Sequence, residues 1–92
     1  MSLDLNEIRK EIDEIDAGIV DLYEKRMNLC KNVAKYKIEN NIPILDSSRE
    51  LVILEKNLAK IKNPEYRKYY DTVLKGYLTA SKDMQKDIIE KK

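Results

Sequence analysis

Residues 5–40 read LNEIRKEIDEIDAGIVDLYEKRMNLCKNVAKYKIEN, and this stretch decides the fold. Its apolar residues step alternately by three and four positions, which is the spacing of one face of an amphipathic helix. These residues are Leu5, Ile8, Ile12, Ile15, Ile19, Leu22, Leu29 and Val33. A helix of about 35 residues is roughly 50 Å long, much longer than a compact globule of this size. Because such a helix cannot bury its apolar face against its own chain alone, the stretch predicts a homodimer of long helices.

Two proline-containing segments divide the rest of the chain. Pro43 lacks an amide proton and disfavours a helical conformation at the preceding residue, so the first helix ends near residue 40. Ser47 with Glu50 reads as a capping box that opens a second helix. Asn63 with Pro64 is a cap followed by a first-turn proline, and it opens a third helix. The apolar face of this helix consists of Tyr66, Tyr70, Val73, Tyr77, Ala80, Met84 and Ile88. The sequence therefore predicts an all-α protomer of three helices with a very long first helix.

Composition excludes several classes of function. We expect one domain, residues 1–92. The sequence contains no apolar run of about twenty residues, so it does not predict a membrane span. Since histidine is absent, histidine metal sites and histidine acid-base catalysis are excluded, and the single Cys30 cannot form an internal disulfide or a thiolate zinc site. The 18 basic and 17 acidic residues are interspersed, so no basic face predicts nucleic-acid binding. A single cysteine suits the reducing cytoplasm, where we expect the protein.

Two cations interrupt the apolar face of the first helix. Arg26 stands where the spacing requires an aliphatic residue, and Lys37 lies about 20° round the helix and roughly 16 Å further along it. Burying an unpaired cation costs several kcal/mol, so each side chain needs an anion or a route to water. Structural salt bridges, side chains extended to solvent, and a pocket for an anionic ligand all satisfy this pattern. Periodicity leaves the three explanations open.

Other polar residues have local explanations. Arg9 lies four residues before Asp13 and seven before Asp16, and a surface ion pair accounts for it without a ligand. Glu50 is explained by its position in the capping box. Ser81 and Gln85 lie one turn apart on the flank of the third apolar face, where a polar side chain could reach into a pocket between helices.

Taken in order, these residues resemble the all-helical class of chorismate mutase over nearly the whole chain. The segments that carry the resemblance are IRKEIDEID (8–16), KR (25–26), VAKYK (33–37), PILDSSRE (43–50), Ser81 and Gln85. The resemblance implies three-helix protomers intertwined as a homodimer. It also implies that chorismate is converted to prephenate in aromatic amino-acid biosynthesis, without a cofactor or a metal. This Claisen-type rearrangement within one dianion needs neither a nucleophile nor a general base, which agrees with the absence of histidine.

The resemblance assigns anion-binding roles to four residues. Arg26 and Arg49 would hold the substrate carboxylates, together with Arg9 donated by the partner chain. Ser81 would support a carboxylate. Fixed guanidinium groups suit this role because arginine presents a planar fork to a carboxylate and can hold a flexible dianion in a chair-like conformation.

The resemblance places four further residues near the breaking bond and the substrate hydroxyl. Lys37 and Gln85 would hydrogen-bond the ether oxygen, which gains negative charge as the C–O bond breaks. Asp46 and Glu50 would contact the substrate hydroxyl or its surroundings. Lys37, Gln85 and Arg26 are therefore the predicted catalytic residues.

Two other functions fit the pattern less completely. An isochorismate-pyruvate lyase on the same scaffold also handles a dianion with basic residues, and a non-catalytic helical dimerisation module would pair the cations with acidic residues of the partner. Incubation with chorismate separates these possibilities. Since no sequence feature suggests a fused dehydratase, dehydrogenase or regulatory domain, we expect a free-standing mutase.

Overall fold

The computed structural model describes residues 4–91 and contains three α-helices within that range. They are α1 (Leu5–Glu39), α2 (Ser47–Leu58) and α3 (Pro64–Glu90). Helix α3 packs against both α1 and α2, and the protomer measures 59 × 26 × 15 Å. The predicted all-α fold with a very long first helix is therefore confirmed. No helix within the described residues is both long enough and apolar enough to cross a membrane.

Helix α1 has the bounds that the sequence predicts. The Asp4 side chain caps it by accepting a hydrogen bond from the Asn6 amide at 2.9 Å. The helix runs unbroken for 35 residues and ends at Glu39, four residues before Pro43. Asn41 follows with a φ of 54°, a left-handed conformation that asparagine tolerates better than most residues. At 1.5 Å per residue, α1 alone spans most of the long axis of the protomer.

The cap of α2 differs from the prediction. Asp46, not Ser47, is the N-cap, and its carboxylate accepts hydrogen bonds from the Arg49 amide at 3.0 Å and the Ser48 hydroxyl at 2.8 Å. The capping box is therefore wrong. Aspartate and serine cap equally well, so the sequence alone did not decide between neighbouring candidates. Glu50 therefore does not take part in the cap, and it pairs with Lys82 on α3.

Helix α3 begins as predicted, because the Asn63 side chain accepts from the Glu65 amide at 3.0 Å and Pro64 occupies the first turn. Its buried face is different. The buried residues are Leu74, Leu78, Ser81 and Gln85, one position along the chain from the predicted apolar face. Val73, which belongs to the predicted face, is 44% exposed. Because Ser81 and Gln85 interrupt the apolar pattern of the buried face, the periodicity favoured the neighbouring face, whose residues are more uniformly apolar.

The apolar face of α1 remains uncovered in the protomer. Within the described residues, Ala34 is the only buried residue of α1. The large side chains of the face that stay exposed are Leu5, Ile12, Ile15, Ile19, Leu22, Leu29 and Val33. The buried apolar core of residues 4–91 consists only of Ala34, Leu74 and Leu78. A core this small stabilises a protomer poorly, since hydrophobic burial is the dominant favourable term in folding.

Candidate active site

A cavity of about 180 Å³ lies between the second half of α1, the loop before α2, the start of α2 and the second half of α3. Its polar lining residues are Arg26, Lys37, Asp46, Arg49, Glu50, Ser81, Lys82 and Gln85. Its apolar lining residues are Cys30, Val33, Ile44, Ile53 and Leu78. Seven of the eight site residues predicted from the sequence therefore lie around one cavity, although they come from three helices and a loop.

Arg9 is the predicted site residue that lies elsewhere. It is exposed on the first turns of α1, about 25 Å along the helix axis from Arg26. The predicted surface ion pair with Asp13 or Asp16 is wrong, because no ion pair within 4.0 Å in residues 4–91 includes Arg9. Arg9 of one chain and Arg26 of the same chain cannot both hold one small ligand.

Arg26 is half-buried and its contacts carry no negative charge. Its guanidinium lies 6.0 Å from the centroid of the Tyr77 ring, and its Nη1 donates to the Cys30 Sγ at 3.8 Å. Within the described chain, no carboxylate oxygen lies within 4.0 Å of the Arg26, Lys37 or Arg49 side chains. A salt bridge inside the protomer therefore does not explain why a cation interrupts the apolar face of α1.

Lys37 holds the loop that closes one end of the cavity. Its Nζ donates a hydrogen bond to the Ile44 carbonyl at 2.7 Å. A lysine ammonium has three donors, so this bond leaves two for other acceptors. Because the Ile44 carbonyl is neutral, the bond fixes the position of the ammonium without cancelling its charge.

Asp46 has a structural role that the sequence did not predict. The hydrogen bonds from the Arg49 amide and the Ser48 hydroxyl lower the pKa of the Asp46 carboxyl, with smaller effects from the charges of Lys37 and Arg49. The same cap sets the first turn of α2, and with it the backbone of Arg49 at the edge of the cavity. Asp46 thus positions a cation of the site, whatever contact its carboxylate makes with a ligand.

Ser81 and Gln85 are buried at the floor of the cavity. The Gln85 Nε2 donates to the Ser81 Oγ at 3.0 Å, while the Gln85 Oε1 is buried without a hydrogen-bond partner in the described chain. A half-turn of the carboxamide exchanges its oxygen and nitrogen in nearly the same space. The Ser81 hydroxyl would then donate to the carboxamide oxygen, and the amide nitrogen would occupy the place of the unpaired oxygen. In that orientation the Gln85 amide can donate to a ligand through the place of the unpaired oxygen, whereas in the other orientation the Ser81 hydroxyl keeps its proton for a ligand.

Lys82 is the charged lining residue that sequence reasoning missed. Its Nζ lies 3.1 Å from the Glu50 Oε2 and 3.5 Å from the Oε1, which joins α3 to α2. The signal in the sequence was that Lys82 directly follows Ser81. Two neighbouring residues of one helix border the same cavity only when two other elements converge there, and the sequence did not reveal this convergence.

The charges of the cavity favour a small dianion. Arg26, Lys37, Arg49 and Lys82 contribute four positive charges, and two carboxylates oppose them, so the lining of one protomer carries a net charge of +2. Residues 4–91 contain no cluster of acidic or cysteine side chains arranged to bind a metal ion. Fold and cavity together define an all-helical protein with a cationic cavity of small-molecule size.

Comparison with known proteins assigns the family. The model of the chorismate mutase type II family matches residues 8–86, and the chain belongs to this family. The match includes α2 and all but the ends of α1 and α3, and every residue that lines the cavity. No solved structure matches the chain significantly.

Curated relatives agree with this assignment. A bifunctional chorismate mutase/prephenate dehydratase of Buchnera aphidicola from Schizaphis graminum is 41% identical over 96% of this chain and 23% of the relative. The chorismate mutase of Methanocaldococcus jannaschii is 48% identical over 56% of this chain and 52% of the relative. The intracellular chorismate mutase of Mycolicibacterium smegmatis is 30% identical over 58% of this chain and 51% of the relative. The chain thus spans about a quarter to a half of these relatives.

The lowered pKa of Asp46 predicts a pH-dependent contribution to stability. Because its folded pKa lies below the ordinary value of 3.8, this contribution is complete above the unfolded pKa and is lost as the pH falls through the folded pKa. Asp46→Asn should therefore unfold at lower urea concentration than the parent at pH 6, and the difference should shrink below pH 3.8.

Urea titrations at several pH values measure this difference. Asp83→Asn is the matched control, since it replaces an exposed aspartate of α3 outside the cavity lining. A deficit of Asp46→Asn that stays constant from pH 6 to pH 3 would contradict the assigned role of the hydrogen-bonded carboxylate.

Proposed function

We propose that this protein converts chorismate to prephenate as a homodimer, as a step in aromatic amino-acid biosynthesis. The observation that carries the proposal is the cationic cavity, in which Arg26, Lys37 and Arg49 have no carboxylate of the described chain within 4.0 Å. Chorismate is a dianion of suitable charge for this lining. A cytoplasmic location belongs to the same proposal and is supported by the relative that is named intracellular.

Arg26 and Arg49 are suited to orient the two carboxylates of the substrate. They approach the cavity from different elements, since Arg26 lies on α1 and Arg49 on the first turn of α2. A rearrangement within one flexible molecule is accelerated when the reacting ends are held together, and well-oriented intramolecular reactions gain about 7–11 kcal/mol in this way. Ser81 supplies a hydroxyl on a third side, which can donate to a carboxylate.

Lys37 and Gln85 are suited to stabilise the transition state. As the C–O bond breaks, negative charge develops on the ether oxygen, and donors already in place stabilise it without reorganisation. Lys37 keeps two donors after its bond to the Ile44 carbonyl, and the Gln85 amide keeps a second proton besides the one that it donates to Ser81. The loss of one such donor typically lowers the rate by about 100-fold to 1000-fold.

The homodimer is supported by the uncovered apolar face of α1 and by Arg9. Covering Ile12, Ile15 and Ile19, which are 44–62% exposed, requires a second element, and a second copy supplies a matching stripe. Arg9 lies too far from the cavity of its own chain. If two α1 helices lie along each other in opposite directions, Arg9 of one chain approaches the cavity of the other.

Incubation of the purified protein with chorismate tests the activity. We expect chorismate to disappear and prephenate to form in equal amounts, with no pyruvate released. Formation of pyruvate would identify a lyase instead. If chorismate stays unchanged above the uncatalysed rate, the proposed function is wrong.

Gln85→Glu predicts a new pH dependence of activity. The variant side chain has nearly the same shape, but it can donate to the ether oxygen only while its carboxyl is protonated. When ionised, it opposes an oxygen that is itself becoming negative. We expect kcat/KM of Gln85→Glu to be at least about 100-fold below the parent at pH 8 and to rise as the pH falls toward 5.

The parent, which lacks histidine, should change much less over that range. Measurements of kcat/KM for both proteins from pH 5 to pH 8, with folding verified at each pH, decide the matter. Activity of Gln85→Glu equal to the parent at pH 8 would remove Gln85 from the mechanism and leave Lys37 as the donor.

Mixed dimers test whether Arg9 acts on the site of the other chain. Arg9→Ala and Lys37→Ala chains should each be inactive alone, because every site of such a homodimer lacks one cation. In a heterodimer of the two, one site should combine intact Arg9 and intact Lys37 from different chains. We expect heterodimers isolated by two affinity tags to have about half the kcat of the parent, since one of two sites is complete. Verified heterodimers without activity would contradict a shared site.

A further inference from the structure

We propose that Lys82 is a positioning residue that cancels the charge of Glu50 and fixes its carboxylate at the edge of the cavity, so that a dianion can bind beside it. The inference rests on the proposed function and extends it to a residue with no assigned role. Lys82 acts through Glu50 and needs no contact of its own with the substrate.

The geometry of the pair supports a role beyond surface solubility. The Lys82 Nζ lies 3.1 Å and 3.5 Å from the two carboxylate oxygens of Glu50, so the ammonium restricts rotation of the carboxylate. Both residues line the cavity, and their side chains are only 39% and 24% exposed. The other ion pairs of residues 4–91, Lys25–Asp21 and Lys75–Asp71, each join successive turns of one helix and lie outside the cavity lining.

The charge of the site explains why Glu50 needs a partner. An ionised carboxylate within a few ångströms of a dianion repels it, and the half-buried setting screens that repulsion less than bulk water does. Lys82 brings the pair to net zero while both Glu50 oxygens keep lone pairs that can accept from a substrate hydroxyl. Without Lys82, the net charge of the lining falls from +2 to +1 and the carboxylate faces the ligand uncompensated.

This role predicts an asymmetry between the two partners of the pair. Lys82→Met should raise KM for chorismate about tenfold and change kcat by less than about threefold, because it leaves an unopposed carboxylate beside the ligand. Adding Glu50→Gln to Lys82→Met should lower KM again, since the uncompensated charge is removed. Lys82→Arg should keep KM within about twofold of the parent, because a guanidinium can hold the same carboxylate.

A purely structural ion pair predicts a different pattern. Both single substitutions would then break the same cross-link, and the second substitution would bring no recovery. The experiment measures kcat, KM and melting temperature for the parent, Lys82→Met, Lys82→Arg, Glu50→Gln and the double variant. Lys75→Met is the matched control, because it breaks an ion pair on the same helix outside the cavity lining, and its KM should equal that of the parent.

Recovery of KM in the double variant supports the inference. A KM of Lys82→Met equal to the parent overturns it, and so does a double variant whose KM stays as high as that of Lys82→Met, which would place Lys82 in direct contact with the substrate. If Lys82→Met does not fold, Lys82→Gln replaces it, since the amide can still donate to Glu50 but carries no charge. A parent without mutase activity would instead contradict the proposed function, so the two failures are distinguishable.

Discussion

The structure depends on cations that the protomer does not neutralise. Arg26, Lys37 and Arg49 converge on one cavity. Arg26 contacts an aromatic ring and a thiol, and Lys37 contacts a backbone carbonyl. These neutral contacts hold Arg26 and Lys37 in place without cancelling their charges. The cavity is therefore organised for an anion before any ligand arrives, and such preorganisation makes fixed charges more effective than solvent at orienting and stabilising a reacting molecule.

The two carboxylates of the same cavity also have partners within the described chain. Asp46 is committed to the cap of α2, and Glu50 is paired with Lys82. Each acidic group is thus occupied by hydrogen bonds or by a cation of its own. The result is a lining that keeps its net positive charge although two carboxylates border it.

The long first helix links this electrostatic arrangement to the proposed assembly. Its second half supplies Arg26 and Lys37 to the cavity, while its first half carries Arg9 and an uncovered apolar face. In the proposed homodimer, one element would serve both binding and association. Stability and activity would then be coupled, because the buried apolar core of residues 4–91 consists of three residues and a partner would supply most of the burial.

The sequence predicted the bounds of α1 and the starts of α2 and α3 well, because proline positions and capping residues act locally. Periodicity placed Arg26 and Lys37 on the apolar face of α1 without deciding their role, and the family resemblance assigned these two and five further residues of the cavity to a site. The buried face of α3 was missed because Ser81 and Gln85 interrupt its apolar character. The cap of α2 was missed because Asp46 and Ser47 are adjacent residues that cap equally well. The Lys82–Glu50 pair was missed because it joins two helices, and which carboxylate lies beside which cation of another helix is a tertiary property.

The stability of Arg26→Met without ligand tests the central claim most directly. If the cation lacks a protein carboxylate, replacing it with an apolar side chain of similar length removes an uncompensated charge. Urea unfolding at matched protein concentrations should then give a free energy of unfolding equal to or above that of the parent, although conversion of chorismate is lost. A decrease of several kcal/mol would contradict the account, because it would mean that a carboxylate of the protein had lost its partner.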